Sequence, residues 1–211
     1  MRTNYDIFAG QSAERLAALS DGIFGVGMTL LVLDLRTPVL EVIHSEQALQ
    51  AALMAILPQF VMYLMSFMTL GIFWVGQQTQ INHLDRSDRH LTWINLAFLF
   101  AVTLLPFSTK LLAEFYTFRT ALLAYWLNIF LLGLGLYCAW GYAYRHRLLK
   151  EGTPSGVPAA VCRRIVIAQT LYGAGAALCF LDTRLSIAAI VAVQLFYVLA
   201  PGFHQMGPRR I

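Results

Sequence analysis

Ser20–Pro38, SDGIFGVGMTLLVLDLRTP, is the stretch whose reading decides the fold. It is a long apolar run with one acid, Asp21, just inside its start and a second, Asp34, near its outer end. A carboxylate set into hydrocarbon costs several kcal/mol, on the order of the insertion scales, so Asp21 is expected to face protein or water. The helical period is about 100° per residue. With Val26 as origin, Leu33 falls within about 20°, Leu30 and Gly22 within about 40°, and Thr29 and Ile23 about 60° away. Leu19 and Arg15 continue this stripe toward the N-terminus. Asp21 points about 140° away from Val26. The reading is a helix with an aliphatic stripe on one face and a buried polar pair, Ser20 and Asp21, at its back. The Thr29 hydroxyl is expected to bond the Gly25 carbonyl four residues earlier.

Composition sets the class. Of 211 residues, 58% are hydrophobic and 12% charged, with a mean hydropathy of +0.63. Soluble domains carry about a quarter charged residues, so the chain is read as an all-α integral membrane protein. The net charge of +4 is spread between apolar runs rather than gathered in one patch, which excludes a nucleic-acid partner. Cys138, Cys162 and Cys179 lie in or beside apolar segments, without metal-ligand spacing, and read as packing residues.

A bilayer crossing takes about 20 apolar residues. Six segments are expected to cross: 16–35, 54–76 with Pro58 near its start, 91–112 with a late kink at Pro106, 121–144, 164–181 and 185–203. Only Asp182, Thr183 and Arg184 join the last two, which predicts a tight helical hairpin. Residues 151–158 read as a flexible connector inside one domain, 1–211. Eleven Lys/Arg fall on the side that holds both termini and four (Arg36, Lys110, Arg119, Arg184) on the other. The positive-inside rule then places both termini in the cytoplasm.

Residue identities add a resemblance. Arg15, Ser20 and Asp21 match the R-x-x-x-F-S-D signature of the transmembrane-protein-175 family of potassium-permeable channels, with Leu19 where the family has Phe. Phe73 and Trp74 match an F-W-x-x-H-H segment, but Gln77 and Gln78 replace its histidines. Trp93 and Asn95, then Pro106, Phe107, Ser108 and Thr109, match W-x-N-L and P-F-S-T segments. The specific matches cover the first three helices. The last three match only in number and hydrophobicity. Read alone, Asn95 is a buried hydrogen-bonding residue and Trp93 an interfacial aromatic.

The resemblance implies a homotetramer of the bacterial single six-helix type in an inner (cell) membrane, with the first helix around a cation pore. It implies an aliphatic constriction at Val26, where the family commonly has Ile or Leu, and further layers at Leu30 and Leu33. It assigns Thr29 to potassium preference, and Arg15, Ser20, Asp21, Trp74, Trp93 and Asn95 to the structural motif. Potassium is the implied permeant ion, with sodium or protons also possible through the same pore. No cofactor or metal is implied. There is no T-V-G-Y-G carbonyl filter, so an aliphatic ring gating by dewetting is the physical picture. Gln cannot titrate, so any pH or metal effect carried by the family's histidines is expected to be missing. His83, His90, Asp85 and Asp88 read as a solvated turn. A membrane enzyme would need converging acids, nucleophiles or metal ligands at one depth, and no such set is legible. A secondary transporter would show inverted repeats and broken helices. A scaffold remains open.

Overall fold

A computed structural model describes residues 13–33, 35 and 43–199. These form six helical rods, in chain order α1 Ala13–Val32, α2 Glu46–Asn82, α3 Arg89–Thr103 continued by α4 Leu105–Glu114, α5 Arg119–Arg145, α6 Val157–Ala177, and α7 Thr183–Leu199. A single 3₁₀ turn, Leu178–Phe180, makes the α6–α7 hairpin tight, as the three-residue connection predicts. Four rods are long and apolar enough to cross a membrane by length and composition: α1, α2, α3 with α4, and α5. The apolar α7 is shorter, with 17 residues. The 21-residue α6 carries Arg163 and Arg164 in its first half and falls outside the crossing candidates.

Local chemistry sets the ends. Ser45 caps α2, its hydroxyl accepting from Ala48 N at 3.1 Å, so α2 begins well before the expected residue 54. Pro58 therefore lies inside α2 and not near its start. Asp88 caps α3, accepting from Leu91 N at 2.8 Å. Pro106 has no N–H for the Val102 carbonyl, and the third rod breaks beside it, at Leu104. Pro158 was read as the end of a connector, but it sits in the first turn of α6, where a missing N–H costs nothing. The fifth rod accordingly starts earlier than residue 164. The sixth is described only to Leu199, so its expected end at 203 lies outside the described residues.

Glycines admit close packing at two places. A Cβ on Gly135 would stand 2.9 Å from Phe98 Cβ, so α3 and α5 touch almost backbone to side chain. The Gln169 side chain of α6 occupies the space beside Gly133 and donates to the Ile129 carbonyl at 3.3 Å. At one end of the bundle the 83–85 turn is clipped to 148–150, with Asp85 N on Leu148 O and Lys150 N on His83 O, both 2.9 Å. Tyr142 donates to the capping Asp88 at 2.9 Å, and His83 reaches the Thr79 carbonyl. These bonds make the turn an ordered joint between α2, α3 and α5 rather than a merely solvated one.

A buried polar girdle ties the remaining helices. Thr109 of α4 stands 2.7 Å from both Ser66 Oγ of α2 and its own helix's Leu105 carbonyl, which compete for its one proton, and Ser66 donates to Tyr125 of α5 at 3.2 Å. Tyr125 and Thr69 oxygens are 3.0 Å apart. Thr69 spends its one proton on the Met65 carbonyl, so Tyr125 is the donor. Gln194 of α7 donates to Thr69 at 2.7 Å. All five side chains are buried. Spacing along the sequence does not reveal this girdle, because its bonded pairs are 43 to 125 residues apart.

Candidate pore-lining face

Helix α1 packs through Leu16, Ser20, Phe24, Gly27 and Leu31, an i, i+4, i+8, i+11, i+15 seam. Phe24 meets Phe98 with ring centres 6.0 Å apart. A Cβ on Gly27 would touch Leu70 and Val102 at 3.6 and 3.8 Å, so α1 leans on α2 and α3 there. It packs chiefly on α2, α3 and α4, at the edge of the subunit. The opposite face is open. Val26, Leu30 and Leu33 are 57%, 43% and 74% exposed, and a Cβ on Gly22 or Gly25 would meet nothing within 4 Å. Helix α1 ends at Val32, so Leu33 continues the stripe from the following turn, its N–H on the Leu30 carbonyl at 3.1 Å. A groove of about 370 Å³ runs between Leu19, Gly22, Val26 and Leu30 on one side and Thr103 and Pro106, at the helix break, on the other.

The expected Thr29 bond is corrected. Its hydroxyl donates to the Val26 carbonyl at 2.8 Å, three residues back rather than to Gly25. The χ1 choice of a helical Thr decides between these two carbonyls. Thr29 remains on the exposed face, and with its proton donated the oxygen is left free to accept.

The polar pair also divides. Ser20 is buried and donates to the Leu16 carbonyl at 2.8 Å. Asp21 is not buried with it. It lies on the exposed side and accepts from Trp74 Nε1 at 2.8 Å and Gln78 Nε2 at 2.6 Å. The seam through Ser20 and Phe24 turns the next residue toward the α2 flank, which explains the difference. Arg15 is likewise on the exposed side of α1. Gln77, the second residue in a family histidine position, is buried and donates to Asn95 at 3.3 Å, while Asn95 donates to the Leu91 carbonyl at 2.9 Å. Amides thus fill both positions as hydrogen-bond donors. Trp93 is 63% exposed and stands apart from this set.

The sequence motifs converge where α1 meets α2 and α3: Asp21 with Trp74 and Gln78, and Asn95 with Gln77. Sequence reasoning names Gln78 only as a missing histidine. Its place on the acid follows from the four-residue step from Trp74 along one face of α2. No group of three or more His, Cys, Asp or Glu side chains comes together among the described residues.

The profile of the family described as endosomal/lysosomal potassium channel TMEM175 matches residues 15–106. A potassium channel of Streptomyces collinus is 29% identical over 197 residues, covering 91% of this chain and 92% of that protein. A potassium channel of Chamaesiphon minutus is 28% identical, covering 88% of this chain and 93% of that one. The human endosomal/lysosomal proton channel TMEM175 is 30% identical over 117 residues, 53% of this chain and 23% of that protein. Among solved structures, a lysosomal potassium-selective channel TMEM175 homolog from Chamaesiphon minutus superposes with a TM-score of 0.76 at 25% identity, covering 90% of this chain and 98% of that chain. With Asp21, Trp74, Gln78, Gln77 and Asn95 gathered where α1, α2 and α3 meet and the fold shared over nearly the whole length, this membrane protein is similar to the ion channels of the TMEM175 family, whose profile it matches over residues 15–106.

Proposed function

We propose that four copies of this chain surround a central pore that conducts potassium. The stripe Val26–Leu30–Leu33 carries this reading, because one α1 helix cannot enclose a path and this aliphatic face is left largely uncovered by the described residues. Around a four-fold axis, each copy contributes the same stripe. The narrowest ring is assigned to Val26, with Leu30 and Leu33 as further layers. Such rings offer an ion no ligand in place of its water, so permeation depends on diameter and wetting. Thr29, exposed and with its oxygen free to accept, biases the path toward potassium. Asp21, held by Trp74 and Gln78, acts as a strut that fixes α1 on α2 and sets the ring diameter. Arg15, Ser20 and Asn95 belong to the same structural frame, while the exposed Trp93 stands apart from it.

Both termini are assigned to the cytoplasmic side, from the excess of Lys/Arg there, in a bacterial inner membrane. Protons passing through the same wetted ring are a second reading, favoured by the proton channels among the relatives. Potassium flux from purified protein in liposomes, compared with sodium and with a proton-sensitive dye, tests both. Native mass spectrometry should give four subunits. A stable monomer, or absence of flux under any voltage or pH, would overturn the pore.

A further inference from the structure

Six buried side-chain atoms among the described residues lack a hydrogen-bond partner: Gln77 Oε1, Trp126 Nε1, Asn128 Oδ1, Gln169 Oε1, Tyr172 Oη and Gln194 Oε1. Tyr172 and Gln194 stand on the two helices of the α6–α7 hairpin, and both are almost wholly enclosed, at 1% and 0% exposure. Their register follows from the hairpin contacts. A Cβ on Gly175 would stand 3.6 Å from Ala189 Cβ and 3.4 Å from Ile190 Cγ1. Ser186 donates to the Gly175 carbonyl at 2.6 Å, which locks that register. The helices are antiparallel, so one turn back from Gly175 and one turn on from Ile190 bring Tyr172 and Gln194 to one level.

Both groups point to a missing partner of one chemical kind. Gln194 Nε2 already donates to Thr69, so its carbonyl oxygen is pinned in place as an acceptor without a donor. The Tyr172 hydroxyl is a donor without an acceptor, on a ring held by packing. In an apolar interior each stranded group is destabilising, and a small molecule able to accept and donate at once relieves both. We propose that a single buried water sits between Tyr172 and Gln194, accepting from the phenol and donating to the Gln194 carbonyl. The girdle of Thr109, Ser66, Tyr125, Thr69 and Gln194 then extends to α6, so α2, α4, α5, α6 and α7 form one hydrogen-bonded frame behind α1. This inference rests on the subunit interior alone and stands whether or not the central path conducts.

The two possibilities differ in sign. If the phenol has no partner, Tyr172→Phe removes a stranded hydroxyl and raises the melting temperature of the purified protein. If the water is present, the same change strands the water and lowers it, by about 2–4 °C for a chain of this size. A rise or no change overturns the proposal. An experimental density map at a resolution that shows ordered water gives the direct measurement. An oxygen about 2.7–3.0 Å from both Tyr172 Oη and Gln194 Oε1 supports it. A direct phenol–amide bond or an empty gap overturns it.

Discussion

The indole N–H of Trp74 donates to Asp21 across 2.8 Å, and Gln78, one turn further along α2, donates to the same carboxylate oxygen at 2.6 Å. The most polar group of the first apolar stretch is therefore held from one side of α2. Two donors on one oxygen fix the rotation of α1 against α2. The direction in which Val26, Leu30 and Leu33 face depends on that rotation.

Asp21→Ala removes both bonds at once and should loosen the α1–α2 seam. The expected result is a melting temperature lower by about 2–4 °C and a smaller assembled fraction on size exclusion. Trp74→Phe, which keeps the ring and removes the N–H, should give a weaker loss of the same kind. A fully assembled Asp21→Ala protein with altered ion preference would instead place the carboxylate in the ion path.

Thr29→Val keeps the shape of the side chain and removes its oxygen. Reversal potentials in mixed potassium and sodium should move toward zero selectivity, by a few-fold at most in the permeability ratio, because a single hydroxyl per subunit is a weak ligand. An unchanged ratio would assign ion preference to ring diameter alone.

Val26→Asn places an amide at the candidate constriction and should keep it wet, raising single-channel conductance. Val26→Phe should narrow the ring and block current. Size exclusion has to show assembly for both, since a membrane-embedded Asn also creates helix contacts of its own. Assembled variants that both conduct like the parent would rotate α1 away from the assigned face.

Gly135→Ala tests the frame behind the pore helix. The new methyl would stand 2.9 Å from Phe98 Cβ and 3.3 Å from its Cα, so backbone as well as side chain has to move. Overpacking of this kind costs about 1–3 kcal/mol. A clear drop in thermal stability is expected for Gly135→Ala and none for Gly141→Ala, whose Cβ would meet open space.

What the sequence by itself determined is the class of the molecule and the composition of its faces. Apolar runs of bilayer length read directly as helices, and the period of 3.6 residues placed Val26, Leu30 and Leu33 on one stripe without any coordinates. The Pro106 interruption and the tight α6–α7 hairpin were legible for the same reason, since both follow from local backbone chemistry. The extent of α2 and the start of α6 were not, because caps and first-turn prolines extend helices beyond their apolar runs. Only the tertiary structure decided which groups bond. Asp21 was read as buried beside Ser20, yet it faces Trp74 and Gln78, since the rotation of α1 is set by the seam of Phe24, Gly27 and Leu31 on two other helices. The Thr109–Ser66–Tyr125–Thr69–Gln194 girdle had no sequence signal at all. Hydroxyl and amide side chains scattered through apolar runs look alike one at a time, and only the packing of distant helices determines which of them share a proton.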